Sequence, residues 1–429
     1  MNFKNKILYF FSDIYTKNRK TLFFIFFLSL LISSFFLLFF KNIGPAEHQI
    51  PGTDYLSLYK PIASNILKGK EFTIEGKLVT RVPPGYPLIL AMIFRISEIL
   101  RINEIGLIII FNIFISALSC CVLFLIAESI FNKKIALISS FLWMSYPFNL
   151  WFIKNPHTEV PFILFLYLSL LFYILALKKK RIEFFFFSGL FIAIASLIRP
   201  ITLFLPIILT LLTFFLLKEN SKKFKVLFII IFLIGTLIPI LPWEGYVFSK
   251  TGRIIPLAES GPSNIKAGLT FALLRPRQGE KKVVSNDVLE LMKEIQSKKL
   301  DSGEKILYLC LQELIDKPLT FLKLIGFKIV RSWYATSRRW YEKEILIIQI
   351  FYLSFAIFGI KYGVKLYRDK IRYIILLLII IFYFWGVTFL VHSILRYMIP
   401  VMGLVIIFSA ISIEFLIKGT FKKLHLIWK

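Results

Sequence analysis

The sequence predicts an all-α polytopic membrane protein of about ten transmembrane helices, and three observations carry that prediction. Hydrophobic residues make up 57% of the 429-residue chain, with 47 Phe and a mean hydropathy of +0.75, which does not fit a water-facing surface. Apolar runs of roughly 17 to 22 residues recur along the whole length, the span an α-helix needs to cross a hydrocarbon core of about 30 Å. These runs lack the period-two alternation of barrel strands, so helices must satisfy the backbone inside the bilayer.

Taken in order, the predicted spans lie near 21–40, 105–127, 135–152, 160–177, 183–198, 200–217, 226–243, 344–360, 373–391 and 398–417. The first follows Lys17, Arg19 and Lys20. It is too long for a secretion signal and no small-x-small cleavage pattern comes after it, so it is expected to be a retained span. Ten crossings place both termini on one side. The short loops on that side carry 24 Lys and Arg, in clusters such as Lys178 to Arg181 and Lys361 to Arg372. The opposite short turns carry only Lys154, Arg199 and Arg396. The positive-inside rule then predicts a cytoplasmic-membrane protein with cytoplasmic termini and an extracytoplasmic active site.

Two long segments are expected outside, 41–104 and 244–343, and long connections usually carry function. Tyr55 to Leu67 and Pro84 to Leu100 read as helices lying along the membrane surface. Asp287 to Lys299 and Ser302 to Ile315 are helical in composition. Phe321 to Tyr334 is apolar with Lys323, Lys328 and Arg331 interspersed, again suggesting an interfacial lie. The expected organisation is an N-terminal transmembrane catalytic module (1–243), an extracytoplasmic loop with interfacial helices (244–343) and C-terminal transmembrane helices with a cytoplasmic tail (344–429). No internal repeat is visible, which weighs against a transporter built on inverted halves.

The formal charge of +28 does not signal nucleic acid here, because most of the basic residues sit in short loops where they meet anionic headgroups. Cys120 and Cys121 are adjacent in a span and Cys310 stands apart, so neither a metal spacing nor a disulfide framework is visible. No Gly-rich phosphate loop, H-E-x-x-H or G-x-S-x-G appears, which argues against a cytosolic nucleotide donor.

The chemically competent residues gather on the outward side: Asp54, Arg81, His157, Glu159, Arg199, His392 and Arg396. Ionisable groups beside hydrocarbon are costly unless paired or hydrated, so such a gathering points to one cavity. Asp54, in Pro51-Gly52-Thr53-Asp54, reads either as a helix N-cap or as a general base. Glu159, after Asn155-Pro156-His157-Thr158, reads either as part of a capping box or as a ligand for an acceptor hydroxyl, an amine or a metal. His157 alone is a weak signal, more often an interfacial hydrogen-bonding residue. Arg199 and Arg396 either snorkel to headgroups or present a planar fork to a lipid phosphate. Arg81 precedes Pro83-Pro84-Gly85-Tyr86-Pro87, a rigid non-helical stretch suited to an active-site wall.

These residues in this order resemble the integral-membrane glycosyltransferases of the GT-C fold, in the branch of protein O-mannosyltransferases and lipid A aminoarabinose transferases. The resemblance rests on Gly52-Thr53-Asp54-Tyr55, Arg81-Val82-Pro83-Pro84-Gly85-Tyr86-Pro87, His157-Thr158-Glu159, Leu197-Ile198-Arg199-Pro200, Pro242-Trp243 and Arg396-Tyr397 with Pro400. It implies inverting transfer of a sugar from a polyprenyl-phosphate donor to a glycan, lipid or protein acceptor. Asp54 would be the base, Arg81, Arg199 and Arg396 would lie near the donor phosphate, and Glu159, His157, Tyr86 and His392 would bind acceptor or sugar. No metal ligand set is assigned, although a divalent cation is compatible with the chemistry. Two departures stand out: Tyr55 follows Asp54 where the mannosyltransferases commonly carry Asp-Glu, and Val82 stands before the Pro-Pro pair where the aminoarabinose transferases commonly carry Lys. The competing readings are a polysaccharide polymerase or ligase, for which Arg275, Arg277, Arg331, Arg338 and Arg339 form a late arginine group, and a transporter or flippase of lipid-linked glycans.

Overall fold

The computed structural model describes residues 3–40, 52, 54–217, 221–270, 284–300, 302–337 and 339–427, with side chains described from residue 18 to 418. Pro51, Thr53, Arg275, Arg277 and Arg338 lie outside the described residues. The fold is an all-α membrane bundle, and the predicted spans fall mainly on helices, although 135–152 is broken at Ser145 and Tyr146 and 200–217 at Leu203 and Phe204. Among the described residues, seven helices are long and apolar enough to cross a bilayer, and an eighth crossing results if one bent pair counts as a single span.

Helix α1 (Phe3–Phe40) leads into the first long segment. There, a π-helical turn (Tyr55–Tyr59) runs into α2 (Lys60–Leu67), followed by a two-stranded hairpin and α3 (Gly85–Leu100). The hairpin pairs Thr73 with Leu78 and was not foreseen, because two-residue strands leave no alternation to detect. Then come α4 (Glu104–Ile130), α5 (Lys133–Met144) and α6 (Pro147–Ile153). Pro147 opens α6 two residues beyond the end of α5, after Ser145 and Tyr146, and the two helices bend by 54°. At the far end of α6 Asn112 donates to the Ile153 and Asn155 carbonyls, at 3.2 and 3.1 Å.

Helix α7 (Glu159–Lys179) is apolar all round and buried along its length, the pattern of a helix enclosed by others rather than facing lipid. Around it run α8 (Ile182–Ile198), α9 (Leu205–Leu216) and α10 (Lys222–Thr251). At 17 residues α8 reaches only about 26 Å, so it falls short of a full crossing by length. The second long segment holds α11 (Ser260–Thr270), α12 (Asn286–Ser297), α13 (Gly303–Asp316) and α14 (Pro318–Arg331). These helices share their own apolar centre, which includes Val288, Met292, Leu309 and Leu324. On α14 Lys323 is exposed, whereas Lys328 and Arg331 are buried. The chain closes with α15 (Glu342–Leu366), α16 (Ile371–Leu390) and α17 (Ile399–Ile427).

The two long segments meet at one end of the bundle. Phe72 packs on Trp243 at 4.9 Å between ring centres, and the Glu259 amide donates to the Thr80 carbonyl at 2.8 Å. The Trp243 indole donates to the Leu257 carbonyl at 3.0 Å, which ties the end of α10 to the chain that follows it.

Candidate active site

The carboxylate of Glu159, the first residue of α7, is fully buried and receives two guanidinium groups. Arg199, in the break after α8, ion-pairs with its Oε1 and donates to Thr158 Oγ1 at 3.0 Å. Arg396, in the turn between α16 and α17, donates Nε to the same Oε1 and Nη2 to Oε2 at 3.2 Å. Three chain segments thus converge on one carboxylate at the open N-terminus of a buried helix, where its negative charge also complements the helix dipole. The capping-box reading of Glu159 is corrected: Thr158 occupies the N-cap and makes no side-chain cap. The snorkelling reading of Arg199 is corrected as well, since the residue is buried between Glu159 and the rings of Tyr397 and Phe162, 5.0 and 5.8 Å from the guanidinium carbon.

Arg396 also faces a second carboxylate. Its Nη1 lies 3.9 Å from Asp54 Oδ2, and the Asp54 side chain is 66% exposed. Asp54 opens the π-helical turn but caps nothing, so the N-cap reading does not describe its side chain. The turn itself is anchored: the Tyr55 hydroxyl donates to Glu104 at 3.4 Å, and Lys60 ion-pairs with the same carboxylate. Asp54 is therefore held at a fixed place with an open carboxylate.

Behind it, Tyr59 stands edge-on to Tyr86 at 5.1 Å. Burial pushes the Tyr59 hydroxyl up to about 12, outweighing the pull of Arg199 and Arg396, and pushes Tyr86 well above its ordinary value. Both remain hydrogen-bond donors, and the buried Tyr86 hydroxyl has no partner among the described residues. Tyr86 is carried close because Gly85 lies against α8; a Cβ there would stand 2.6 Å from the Leu197 carbonyl oxygen.

A cavity of about 690 Å³ opens beside the ionic cluster. Its walls are mainly apolar and aromatic, including Phe36, Phe40, Phe148, Trp151, Trp340 and Ile348, while Arg396 and His157 stand among its few polar groups. His157 packs edge-on to Phe152 at 5.0 Å. Burial and the neighbouring Arg396 bring its pKa down to about 3, so the ring is neutral near pH 7. His392 lies parallel to Tyr397 at 5.9 Å.

The sequence-derived set therefore divides. Asp54, Glu159, Arg199 and Arg396 form one connected cluster; His157 shares the cavity wall with Arg396, Tyr86 stands beside Tyr59, and His392 stacks next to the arginine turn. Arg81 is exposed and makes no hydrogen bond or ion pair among the described residues. Arg331, counted in the late arginine group, is committed to a two-pronged ion pair with Glu342 at 3.0 and 2.8 Å. Thr158, Tyr59 and Phe162 were not foreseen. The four-residue spacing of Tyr55 and Tyr59 on a helical turn was the available signal for Tyr59; nothing in sequence marks Phe162 among so many Phe. Both Glu159 oxygens are engaged by arginines, and no group of three His, Cys, Asp or Glu suited to a metal occurs among the described residues.

The family profile of dolichyl-phosphate-mannose-protein mannosyltransferases matches residues 81–244. Among solved structures, the apo oligosaccharyltransferase of Archaeoglobus fulgidus superposes with a TM-score of 0.58 at 13% identity, covering 95% of this chain and 51% of that one. The archaeal oligosaccharyltransferase AglB from the same organism, in complex with an inhibitory peptide and a dolichol-phosphate, gives 0.54 at 12% identity, with 95% and 51% covered. The A. fulgidus oligosaccharyltransferase tethered to an acceptor peptide gives 0.55 at 12%, with 96% and 51% covered. The chain spans about half the length of these proteins, and the likeness is one of fold. No curated protein sequence matches it.

Proposed function

We propose that this chain, a membrane protein of the GT-C glycosyltransferase fold, transfers a sugar from a polyprenyl-phosphate donor to an acceptor on the extracytoplasmic side, with inversion at the anomeric carbon. One observation carries the reading: Arg396 joins the wall of a large apolar cavity to the exposed Asp54 carboxylate, 3.9 Å away. An apolar cavity beside a fixed cation suits a ligand that is a hydrocarbon chain ending in a phosphate. The dolichol-phosphate bound in the AglB complex is a ligand of that chemistry.

In this reading the prenyl chain occupies the aromatic cavity and the donor phosphate meets Arg396. Asp54 accepts the proton of the acceptor hydroxyl as its oxygen forms a bond to the anomeric carbon. The bond from that carbon to the phosphate oxygen breaks, and polyprenyl phosphate leaves with the electron pair. Negative charge grows on the departing phosphate, and Arg396 is already in place to stabilise it. Arg199 and Glu159 hold Arg396 rather than meeting the phosphate themselves, because both are buried in their mutual ion pair. The protonated Tyr86 hydroxyl and neutral His157 supply donor and acceptor positions for sugar or acceptor.

The test separates binding from chemistry. Purified Asp54→Asn protein should bind undecaprenyl phosphate with unchanged affinity in native mass spectrometry but transfer no sugar from the lipid-linked donor that accumulates in cells lacking the protein. Arg396→Ala should weaken lipid-phosphate binding at least tenfold, the loss expected for a charge-assisted contact of about 1.5–3 kcal/mol. Transfer at the native rate by Asp54→Asn would remove the base from this scheme.

A further inference from the structure

Lys328 is an unusual lysine. It lies on α14, is 2% exposed, and among the described residues has no carboxylate partner. Burial pulls its ammonium down to about 7, so a methionine of similar length would have been the less costly occupant. What its ammonium touches explains its presence. Nζ donates to the Gly268 carbonyl at 2.6 Å and to the Val391 carbonyl at 3.5 Å. Gly268 lies on α11 and Val391 is the C-cap of α16. The Val391 carbonyl, at the end of its helix, has no partner within α16 and carries the negative end of a helix dipole. One ammonium thus ties α11 to the end of α16.

A second, independent contact fixes the same point. A Cβ on Gly268 would stand 1.3 Å from the Val391 carbonyl oxygen, so α11 touches the end of α16 only because residue 268 has no side chain. Val391 itself leaves the helix at φ −92°, ψ −91°. Farther along, the Leu395 amide donates to the Ala335 carbonyl at 2.9 Å, just beyond α14. The Trp385 indole donates to the Ile329 carbonyl at 3.0 Å. The turn from 391 to 395 is therefore gripped at both ends by α14 and the residues that follow it. Its next residue is Arg396.

We propose that Lys328 is a positioning residue: by joining α11 to the end of α16 it sets the turn that delivers Arg396 to Glu159 and Asp54. The second long segment then shapes the ionic site without supplying a group to it. The consequence for ligand binding rests on Arg396 as the phosphate contact; the consequence for the turn does not.

Hydrogen–deuterium exchange on the purified full-length protein tests it, with undecaprenyl phosphate as the ligand probe. Lys328→Met should raise exchange of the 391–398 amides about tenfold, the scale of one lost charged hydrogen bond, and leave 399–418 unchanged. Lys328→Gln, which keeps a donor, should recover part of that protection, and Lys323→Met on the exposed side of the same helix should change nothing. Lipid-phosphate affinity should fall with Lys328→Met to a similar extent. Unchanged exchange at 391–398 overturns the proposal. Loss of protection spread equally over 399–418 in both Lys328 variants also overturns it, because Lys328 would then hold the bundle rather than the turn. Loosening confined to 391–398 with undiminished lipid-phosphate binding upholds the positioning role and removes Arg396 from the phosphate site.

Discussion

The two ends of the bundle both hold buried polar groups, and they differ in what those groups leave open. At the end opposite the long segments, Asn18 donates to Glu128 at 2.6 Å, and Glu414 meets Lys418 at 2.7 Å, one turn along its own helix. Asn132 reaches both Glu414 and the Tyr367 hydroxyl, at 3.5 and 3.0 Å. These contacts also tie distant parts of the chain together, but none of their residues lines the cavity. At the other end, one buried carboxylate draws arginines from two distant parts of the chain, and one of them reaches on to an exposed aspartate and a cavity. Closed polar clusters stabilise; a cluster whose last member still faces open space has something left to bind.

Glu159→Gln should break this contrast most severely. It strips the counter-charge from the buried Arg199 and leaves the partly exposed Arg396 facing only Asp54, and removing one partner of a buried pair costs roughly 3–5 kcal/mol. Thermal unfolding followed by Trp fluorescence should show a marked drop in midpoint, and transfer should disappear with it. Glu414→Gln is the matched change at the other end. Its Lys418 partner is 59% exposed, so the expected loss is below about 1 kcal/mol, with lipid-phosphate binding intact. Equal losses from the two substitutions would erase the distinction between the ends.

A smaller effect is expected from Arg199→Lys. The charge stays near Glu159, but a lysine cannot reach Glu159 and Thr158 together with a planar fork or stack as well on Tyr397. We expect a loss of about 1.4 kcal/mol, tenfold in lipid-phosphate affinity if Arg199 works by holding Arg396. An unchanged affinity would show that Glu159 alone fixes Arg396.

Much of this was legible beforehand because the bilayer imposes strong rules. Long apolar runs force helices, and the ten predicted spans fall mainly on helices, although among the described residues seven, or eight with the bent pair, have the length to cross. The helices Lys60–Leu67 and Gly85–Leu100 were legible from amphipathic spacing and from an apolar stretch interrupted by Arg95 and Glu98, although Gly85, Tyr86 and Pro87, read as non-helical, open the second helix. Asp54, Glu159, Arg199 and Arg396 were legible as candidates because charges are scarce beside apolar runs. Their partnership was not, since nothing in sequence says that residues 159, 199 and 396 meet. Lys328 was legible only as one of three cations interspersed in an apolar stretch, because nothing in sequence places the Gly268 and Val391 carbonyls beside its ammonium.

The subtlest difference between the ends is in their response to acid, and His157 should report it. Burial first, then Arg396, brings its pKa down to about 3, while in the unfolded chain it titrates near 6.5. Between those values the unfolded state binds the extra proton, so stability is fully present above about 6.5 and is lost progressively as the pH falls toward 3. His157→Asn keeps a polar group against Phe152 but removes the titration. Its unfolding midpoint should therefore fall less than that of the parent protein between pH 7 and pH 5, by a small margin because one half-buried ring is involved. A parallel decline in both proteins would place the acid sensitivity elsewhere.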